Sequence, residues 1–272
     1  MMATNFYAVV VLYNTKIEDS ITCNNLLKIK NHHIDVIIVD NSTGDNDNYA
    51  KSKELGFVYL PMHGNVGLSK GYNSALDYLK DRKGVVVWFD DDTHVTQEYF
   101  DALEVSCENY NGISIFTPVI QGQDKKYWSP NKARFFKNVQ LKDPNEEISD
   151  QDFNAINSCT ACRLSVFDGY RFDERLFLDQ VDQKFFDDQR TRGMKFLKLN
   201  VVIHHDLSLK NTKTSEKTLE KRYILRIRDF KEYCKIQKIP MMKCRLKIFL
   251  WGLSEYKKNR RVETLKFFMK QI

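Results

Sequence analysis

Three carboxylates in a row, Asp90-Asp91-Asp92, follow directly on the apolar run Val85-Val86-Val87-Trp88-Phe89. Adjacent like charges repel and raise one another's pKa unless a cation neutralises them. An Asp-x-Asp at the end of a buried strand presents the oxygen ligands that Mg²⁺ or Mn²⁺ takes, and such ions commonly bridge to substrate phosphates. The triplet alone reads equally as a solvated acidic turn; the strand before it favours the metal. Asn65-Val66-Gly67-Leu68-Ser69-Lys70-Gly71-Tyr72-Asn73 is a glycine-punctuated loop opening a helix. Glycines let backbone N–H groups approach a ligand, and a helix N-terminus attracts anions. The loop is neither a Walker loop nor a GxGxxG fingerprint, and by itself it is compatible with a plain turn. In Phe177-Leu178-Asp179-Gln180-Val181-Asp182, two carboxylates stand three residues apart near a helix start. One could act as general base on an acceptor hydroxyl, although acidic residues at a helix start also serve as simple caps. His204-His205-Asp206 follows Val201-Val202-Ile203, and a histidine there could complete a metal shell with the Asp triplet.

The elements that must position these residues are legible as hydrophobic runs. Strands are expected at Tyr7 to Leu12, Ile34 to Asn41, Phe57 to Leu60 and Val85 to Phe89, with helices over 17–31 and about Tyr72 to Lys80. Short, Val-rich continuous runs of this kind read as buried parallel strands. Their alternation with helices is a doubly wound α/β start, in which ligands bind at the carboxyl ends of the strands. Tyr13, Asp40, the 63–71 loop and Asp90–Asp92 all fall at such ends. Further on, a helix is expected over Gln97 to Asn109, a strand over Ile113 to Ile120 and an irregular excursion over 121–150. A strand with a short helix within 155–167, a helix over Asp182 to Arg192, a strand over Phe196 to Ile203 and helices from about Ser215 complete the expectation.

Composition narrows the class. With 272 residues, 42% hydrophobic and 29% charged, the chain is globular rather than disordered. No run of 18 apolar residues occurs and the N-terminus lacks a basic, cleavable leader, so neither a transmembrane helix nor a secretory signal is expected. Six scattered cysteines then imply reduced thiols and a cytoplasmic setting. The lone Cys159-x-x-Cys162 lacks a second pair and reads as small buried residues, not a zinc or redox centre. Residues 210–272 carry 19 Lys and Arg against 6 Asp and Glu, whereas 1–209 carry 23 against 30. An acidic body with a basic, Met- and Phe-containing tail suggests two tasks. The tail could lie on an anionic bilayer or pack as a hairpin on the body or at a homodimer interface. No nucleic-acid motif accompanies it.

Taken in order, VVVLYNT, IIVDNST, GNVGLSKGYN, WFDDDT, FDERLFLDQVDQKFFDDQRTRGMK and VIHHDLS, over roughly residues 6–210, resemble glycosyltransferase family 2 with a GT-A fold. The spacing is most similar to the bacterial rhamnosyltransferases and galactofuranosyltransferases. The resemblance implies a catalytic domain over 1–210, a doubly wound, mostly parallel sheet, and a basic amphipathic helical extension over 211–272. It implies that Tyr13 and Asp40 hold the nucleotide base and ribose, and that Asn65 and Lys70 pack on the nucleotide. Asp90, Asp91 and Asp92 would carry the DxD motif, Asp92 contacting Mn²⁺ or Mg²⁺ directly and Asp90 the ribose or the metal. His205, in preference to His204, would join the metal or the diphosphate. Phe172-Asp173-Glu174 matches the entry to the acceptor segment.

One position departs from the family pattern. The acceptor motif of the family usually reads Glu/Asp-Asp-x-Asp with the second acidic residue as base, and here Gln180 stands in that place. An amide is no useful proton acceptor, so Asp179 or Asp182 must take the role; Asp179 is the nearer substitute. The implied reaction is inverting transfer of rhamnose, galactose or galactofuranose from a dTDP- or UDP-sugar to a saccharide or lipid-linked saccharide, in bacterial surface polysaccharide synthesis on the inner face of the membrane. The alternative is a nucleotide-sugar-binding protein impaired by Gln180.

Overall fold

A computed structural model of the chain describes residues 4–205 and 216–272. The expected domain boundary at 210/211 and Asp206 therefore lie outside the described residues. In chain order the elements begin β1 (Asn5–Leu12), α1 (Ile21–Leu26), β2 (His33–Asp40), α2 (Asn48–Leu55), β3 (Val58–Pro61), α3 (Leu68–Tyr78), β4 (Val85–Asp90) and α4 (Gln97–Asn109). There follow β5 (Ile115–Gly122), β6 (Tyr127–Ser129), β7 (Asn131–Lys132), β8 (Val139–Gln140), β9 (Phe153–Asn154), β10 (Ala161–Arg163), α5 (Val181–Thr191) and β11 (Phe196–His205). The chain closes with α6 (Glu216–Ile236), α7 (Met241–Asn259) and α8 (Val262–Lys270).

The main sheet runs β11-β5-β10-β4-β1-β2-β3, with β6 paired to β5, and β8-β7-β9 form a small second sheet. β3, β2, β1 and β4 are mutually parallel, as are β5 and β11, while β10 is inserted antiparallel between β4 and β5. Both faces of the sheet are covered, which is why its strands read as continuous apolar runs instead of alternating ones. Alternation along each strand still decides the destination of each side chain. Tyr7 and Val9 of β1 and Val86 and Trp88 of β4 enter the core beneath α3 and α5. Phe6, Ala8 and Val10, with Val85, Val87 and Phe89, enter the opposite core against α1 and α4.

The strand order reverses between β1 and β4, because β2 and β3 lie on one side of β1 and β4 on the other. That is the switch point at which open sheets leave a crevice. Register brings Leu12 beside Asp40 and Val11 beside Asp90, so Tyr13, Asn41 and the Asp triplet crowd one edge of the sheet.

Two elements differ from expectation. The helix expected over 17–31 is split: a 3-10 turn at Ile17–Asp19 precedes α1, whose first turn is capped by Ser20 accepting from the Cys23 N–H at 3.1 Å. Helix α2 falls where no element was expected. Its sequence NYAKSKEL buries no apolar stripe, only Asn48 and Ser52, so hydrophobic periodicity carries no sign of it.

The C-terminal helices share the core of the body. Phe230 of α6, Cys244 and Ile248 of α7 and Phe268 of α8 belong to the same buried cluster as Val181 and Phe185 of α5. Phe230 meets Trp251 with ring centroids 4.9 Å apart. At Gly252 a Cβ would come within 2.7 Å of Phe268 Cβ, so glycine permits the close crossing of α7 and α8. No helix among the described residues is long and apolar enough to cross a membrane.

Candidate active site

The crevice at the switch point is a cavity of about 1010 Å³. Its floor is the turn after β4. Thr93 anchors that turn: its N–H donates to Thr22 Oγ1 at 2.9 Å, its hydroxyl lies 2.8 Å from Ser158 Oγ, and it bridges to His205 of β11. Asp90, Asp92 and His205 therefore converge, each offering one ligand atom within 4.8 Å of the others. His205 Nε2 is 3.7 Å from Asp90 Oδ2, and Nδ1 is 3.7 Å from Asp92 Oδ1. The His205 side chain is 6% exposed, and its buried Nδ1 has no hydrogen-bond partner. His204 is exposed on the opposite face of the strand, as alternation requires.

An orphaned buried imidazole nitrogen beside two carboxylates matches the donor set of a divalent cation. Burial pushes the Asp90 carboxyl up to about 6; His205 opposes the rise, and Asp92 and Asp91 add to it. A cation there would relieve this charge crowding.

One side of the cleft is built by the loop preceding α3. Gly67 has φ +93°, and a Cβ on it would meet the Phe177 ring and carbonyl at 2.7 and 2.8 Å. Only glycine allows this approach, through which Leu68 N–H donates to Phe177 O at 2.6 Å. Ser69 Oγ donates to Leu176 O at 2.7 Å, and Asn73 exchanges bonds with the Phe172 backbone at 2.9 and 3.0 Å. The segment Phe172–Phe177 is thus clamped to α3, and the two sides of the cleft are mechanically joined. Tyr13, 52% exposed, and Asn65 both line the cleft.

Two sequence candidates lie elsewhere. Asp40 is 4% exposed and does not line the cleft. Its Oδ1 accepts from Ser42 N–H at 2.9 Å; its Oδ2 accepts from Asn48 Nδ2 and Tyr59 OH at 3.0 Å each and from Asn46 Nδ2 at 3.3 Å. Burial would raise this carboxyl, but the donors from Ser42, Asn48 and Tyr59 outweigh it and hold it below its ordinary value. Asp40 therefore organises the 41–48 loop and stands behind the cleft lining. Lys70 is exposed in the first turn of α3 and is not part of the cleft lining. The Cys159 and Cys162 thiols are buried, one on each side of the sheet.

On the opposite wall Gln180 takes a left-handed φ of 66° and starts α5. The bend sets Asp182, in the first turn, into the cleft. Burial pushes its carboxyl up to about 7; Asp90 and Asp179 add to the rise, and the Asn157 backbone N–H opposes it. Asp179 is tied differently. It forms an ion pair with Arg222, and its backbone N–H donates to Asp229 Oδ2 at 2.9 Å. Asp229, wholly buried on α6, also accepts from Leu178 N–H at 2.7 Å.

Sequence reading missed the contribution of the basic tail. Arg222 and Arg226 of α6 and Lys247 and Trp251 of α7 line the same cleft. The Arg226 guanidinium stacks 4.3 Å from the Trp251 ring centroid. The available signal was aromatic residues interleaved with cations at helical spacing, which is also that of a packed helix.

Comparison with known proteins agrees with this geometry. A family model described as glycosyl transferase family 2 matches residues 7–171. A dTDP-rhamnosyl transferase of Shigella flexneri is 28% identical over 196 residues, which are 68% of this chain and 62% of that protein. The chain thus spans less than two thirds of that relative's length. Among solved structures, a glucosyl-3-phosphoglycerate synthase of Mycobacterium tuberculosis, bound to Mn²⁺ and UDP, superposes with a TM-score of 0.57 at 11% identity, covering 87% of this chain and 81% of that one. S. aureus TarS with UDP gives 0.57 at 15% identity, covering 98% and 81%. A mannosyltransferase of Pyrobaculum calidifontis with GDP-Man and Mn²⁺ gives 0.58 at 10% identity, covering 99% and 74%. At these identities the solved structures share the fold, which is the GT-A arrangement.

Proposed function

The chain belongs to glycosyl transferase family 2, and on that premise we propose that it moves a sugar from a nucleotide-sugar to an acceptor hydroxyl with inversion. The observation that carries the proposal is the convergence of Asp90, Asp92 and His205 in one cleft with Asp182. The first three would hold the cation and Asp182 would take the proton. A divalent ion held there would offset the charge of the departing nucleoside diphosphate. Arg222 and Arg226 face the same space and supply further positive charge. Tyr13 and Asn65 line the nucleotide end. Asp182 is the base in preference to Asp179, because the latter is paired with Arg222. A carboxyl poised near 7 is matched to proton removal at neutral pH. Attack by a single hydroxyl opposite the leaving group inverts the anomeric centre.

The Shigella flexneri relative supports dTDP-rhamnose as the first donor; UDP-linked galactose or galactofuranose comes next. The acceptor is read as a saccharide, free or carried on a lipid, in surface polysaccharide assembly. Met242, Leu246 and Leu250 are exposed at successive turns of α7, flanked by the exposed Lys243 and Arg245. This face supports peripheral contact with an anionic bilayer. Flotation with anionic vesicles tests it: Met242→Asp with Leu246→Asp should abolish co-flotation, and a dimer closing over this face would instead dissociate in that variant. The catalytic reading is tested by nucleotide release over a panel of dTDP-, UDP- and GDP-sugars with Mn²⁺ or Mg²⁺. Release from one donor, abolished by EDTA, is expected; nucleotide binding with no release from any donor, with or without acceptor, would favour the impaired binding protein.

A further inference from the structure

A second cavity, of about 420 Å³, lies between α5, the α6–α7 turn and the 133–135 loop. It shares Gln180, Gln183 and Lys247 with the large cleft and none of the Asp triplet. On α5 its lining runs Gln180, Gln183, Asp187 and Arg190, spacings of three and four that place them on one face. From Gln180 to Arg190 that face extends about 15 Å at 1.5 Å per residue. Asp182 lines the large cleft, which meets this cavity at Gln180, Gln183 and Lys247, so a molecule whose hydroxyl sits at Asp182 can extend past Gln180 and Gln183 into it.

The charge in the cavity is one-sided. Arg134, Arg190, Lys238, Lys243 and Lys247 line it, against Asp187 alone. Asp187 is already engaged: it pairs with Arg190 and accepts from Tyr233 OH at 2.5 Å and Gln183 Nε2 at 2.9 Å. Arg134 is paired with Asp152 at 2.6 Å. Among the described residues Lys238, Lys243 and Lys247 have no carboxylate partner. Lys247 is drawn over the rings of Phe230 at 4.7 Å and Phe135 at 5.0 Å and donates to Phe135 O at 2.5 Å. Burial, with Arg226 adding to it, lowers its ammonium to about 8. Three unpaired ammonium groups around one concavity repel each other and are relieved by an anion. Lysine serves as a point-charge binder of phosphate.

We propose that this cavity is an acceptor subsite for a phosphate group, engaged by Lys238, Lys243 and Lys247 and entered past Gln180 and Gln183. The acceptor then carries a phosphate beyond the attacking hydroxyl, either as a phosphorylated sugar or as a phosphate-linked lipid carrier. The assignment rests on the catalytic reading only for its word "acceptor"; the anion site stands or falls separately.

The test uses the full chain saturated with nucleoside diphosphate and Mg²⁺, so that the donor end is closed. Inorganic phosphate, galactose 1-phosphate and dihexanoyl phosphatidic acid below its micelle concentration are titrated by calorimetry. Lys238→Glu with Lys243→Glu changes two exposed side chains of the cavity; Arg245→Glu, an exposed cation of α7 outside the lining, is the control. At least one probe should bind one to one, about tenfold or more weaker in the double variant and unchanged in Arg245→Glu. Preference for the sugar phosphate points to a soluble acceptor, and preference for the lipid phosphate to a carrier. Absence of binding by every probe, or equal binding by the double variant, overturns the subsite. Failure of nucleotide and Mg²⁺ to bind in the first step would instead count against the catalytic reading.

Discussion

The two walls of the cleft are built on opposite principles. The wall built by the 63–71 loop is satisfied: Asp40, behind the cleft lining, is surrounded by donors that favour its ionised form, and the loop is locked onto the 172–177 segment by Gly67, Ser69 and Asn73. The reacting wall is frustrated: Asp90 and Asp182 sit with carboxyls pushed up to about 6 and 7, and a buried His205 nitrogen has no partner. A rigid frame on one side allows charge strain to be kept on the other, where a cation and a proton transfer can use it.

The sharpest way to break this contrast is to remove the strained groups. Asp92→Asn should lower metal-dependent transfer by about 10³-fold while nucleotide binding without metal persists; undiminished metal-dependent transfer would end the metal assignment. Asp182→Asn should lower turnover by about 10²- to 10⁴-fold with donor affinity intact. Asp179→Asn, which only frees Arg222, should cost about tenfold or less, and steady-state kinetics of the two variants side by side separate the roles.

The same contrast predicts opposite behaviour of activity and stability with pH. The proposed base must be ionised, so turnover should rise as pH climbs through about 7, with the midpoint moving lower once a cation neutralises Asp90. Stability runs the other way. Asp90 and Asp182 have folded values above the roughly 3.9 of an unfolded Asp, so their contribution is fully present below about 4 and is lost as pH rises through 6 and 7. Thermal melts in EDTA should therefore fall over that window relative to Asp90→Asn, and Mn²⁺ should restore them. The satisfied wall should respond differently and less. Asp40→Asn leaves donors facing an amide and should destabilise the fold by about 1–3 kcal/mol, with nucleotide affinity changing only as the 41–48 loop loosens; denaturant titration with a nucleotide-binding curve checks this.

How much of this was legible in the sequence follows the same division. The Asp triplet, Tyr13, Asn65 and His205 each stand at or beyond the carboxyl end of a strand, and a parallel sheet sends those ends to one edge, so their convergence could be read from pattern. Asp40 also follows a strand, but its side chain turns under the floor, a choice made by Asn46, Asn48 and Tyr59, which periodicity does not register. Lys70 belongs to the same loop as Asn65, yet it stands outside the cleft lining. Asp179 was the nearer substitute for the missing base on spacing alone, but its pairing with Arg222 depends on α6, forty-odd residues onward. The tail read either as a bilayer-facing segment or as a hairpin packed on the body; its apolar residues complete the core beneath α5, and its cations line the cleft, which the sequence did not show. Such long-range closure leaves no local trace.

The most direct test of the account is Mn²⁺-dependent sugar release at pH 8 by the wild type, Asp179→Asn and Asp182→Asn, with nucleotide affinity measured on the same samples. The account predicts equal affinity in all three, near-normal release by Asp179→Asn and at least about a hundredfold loss in Asp182→Asn. Wild-type release by Asp182→Asn, or a greater loss in Asp179→Asn, would contradict it.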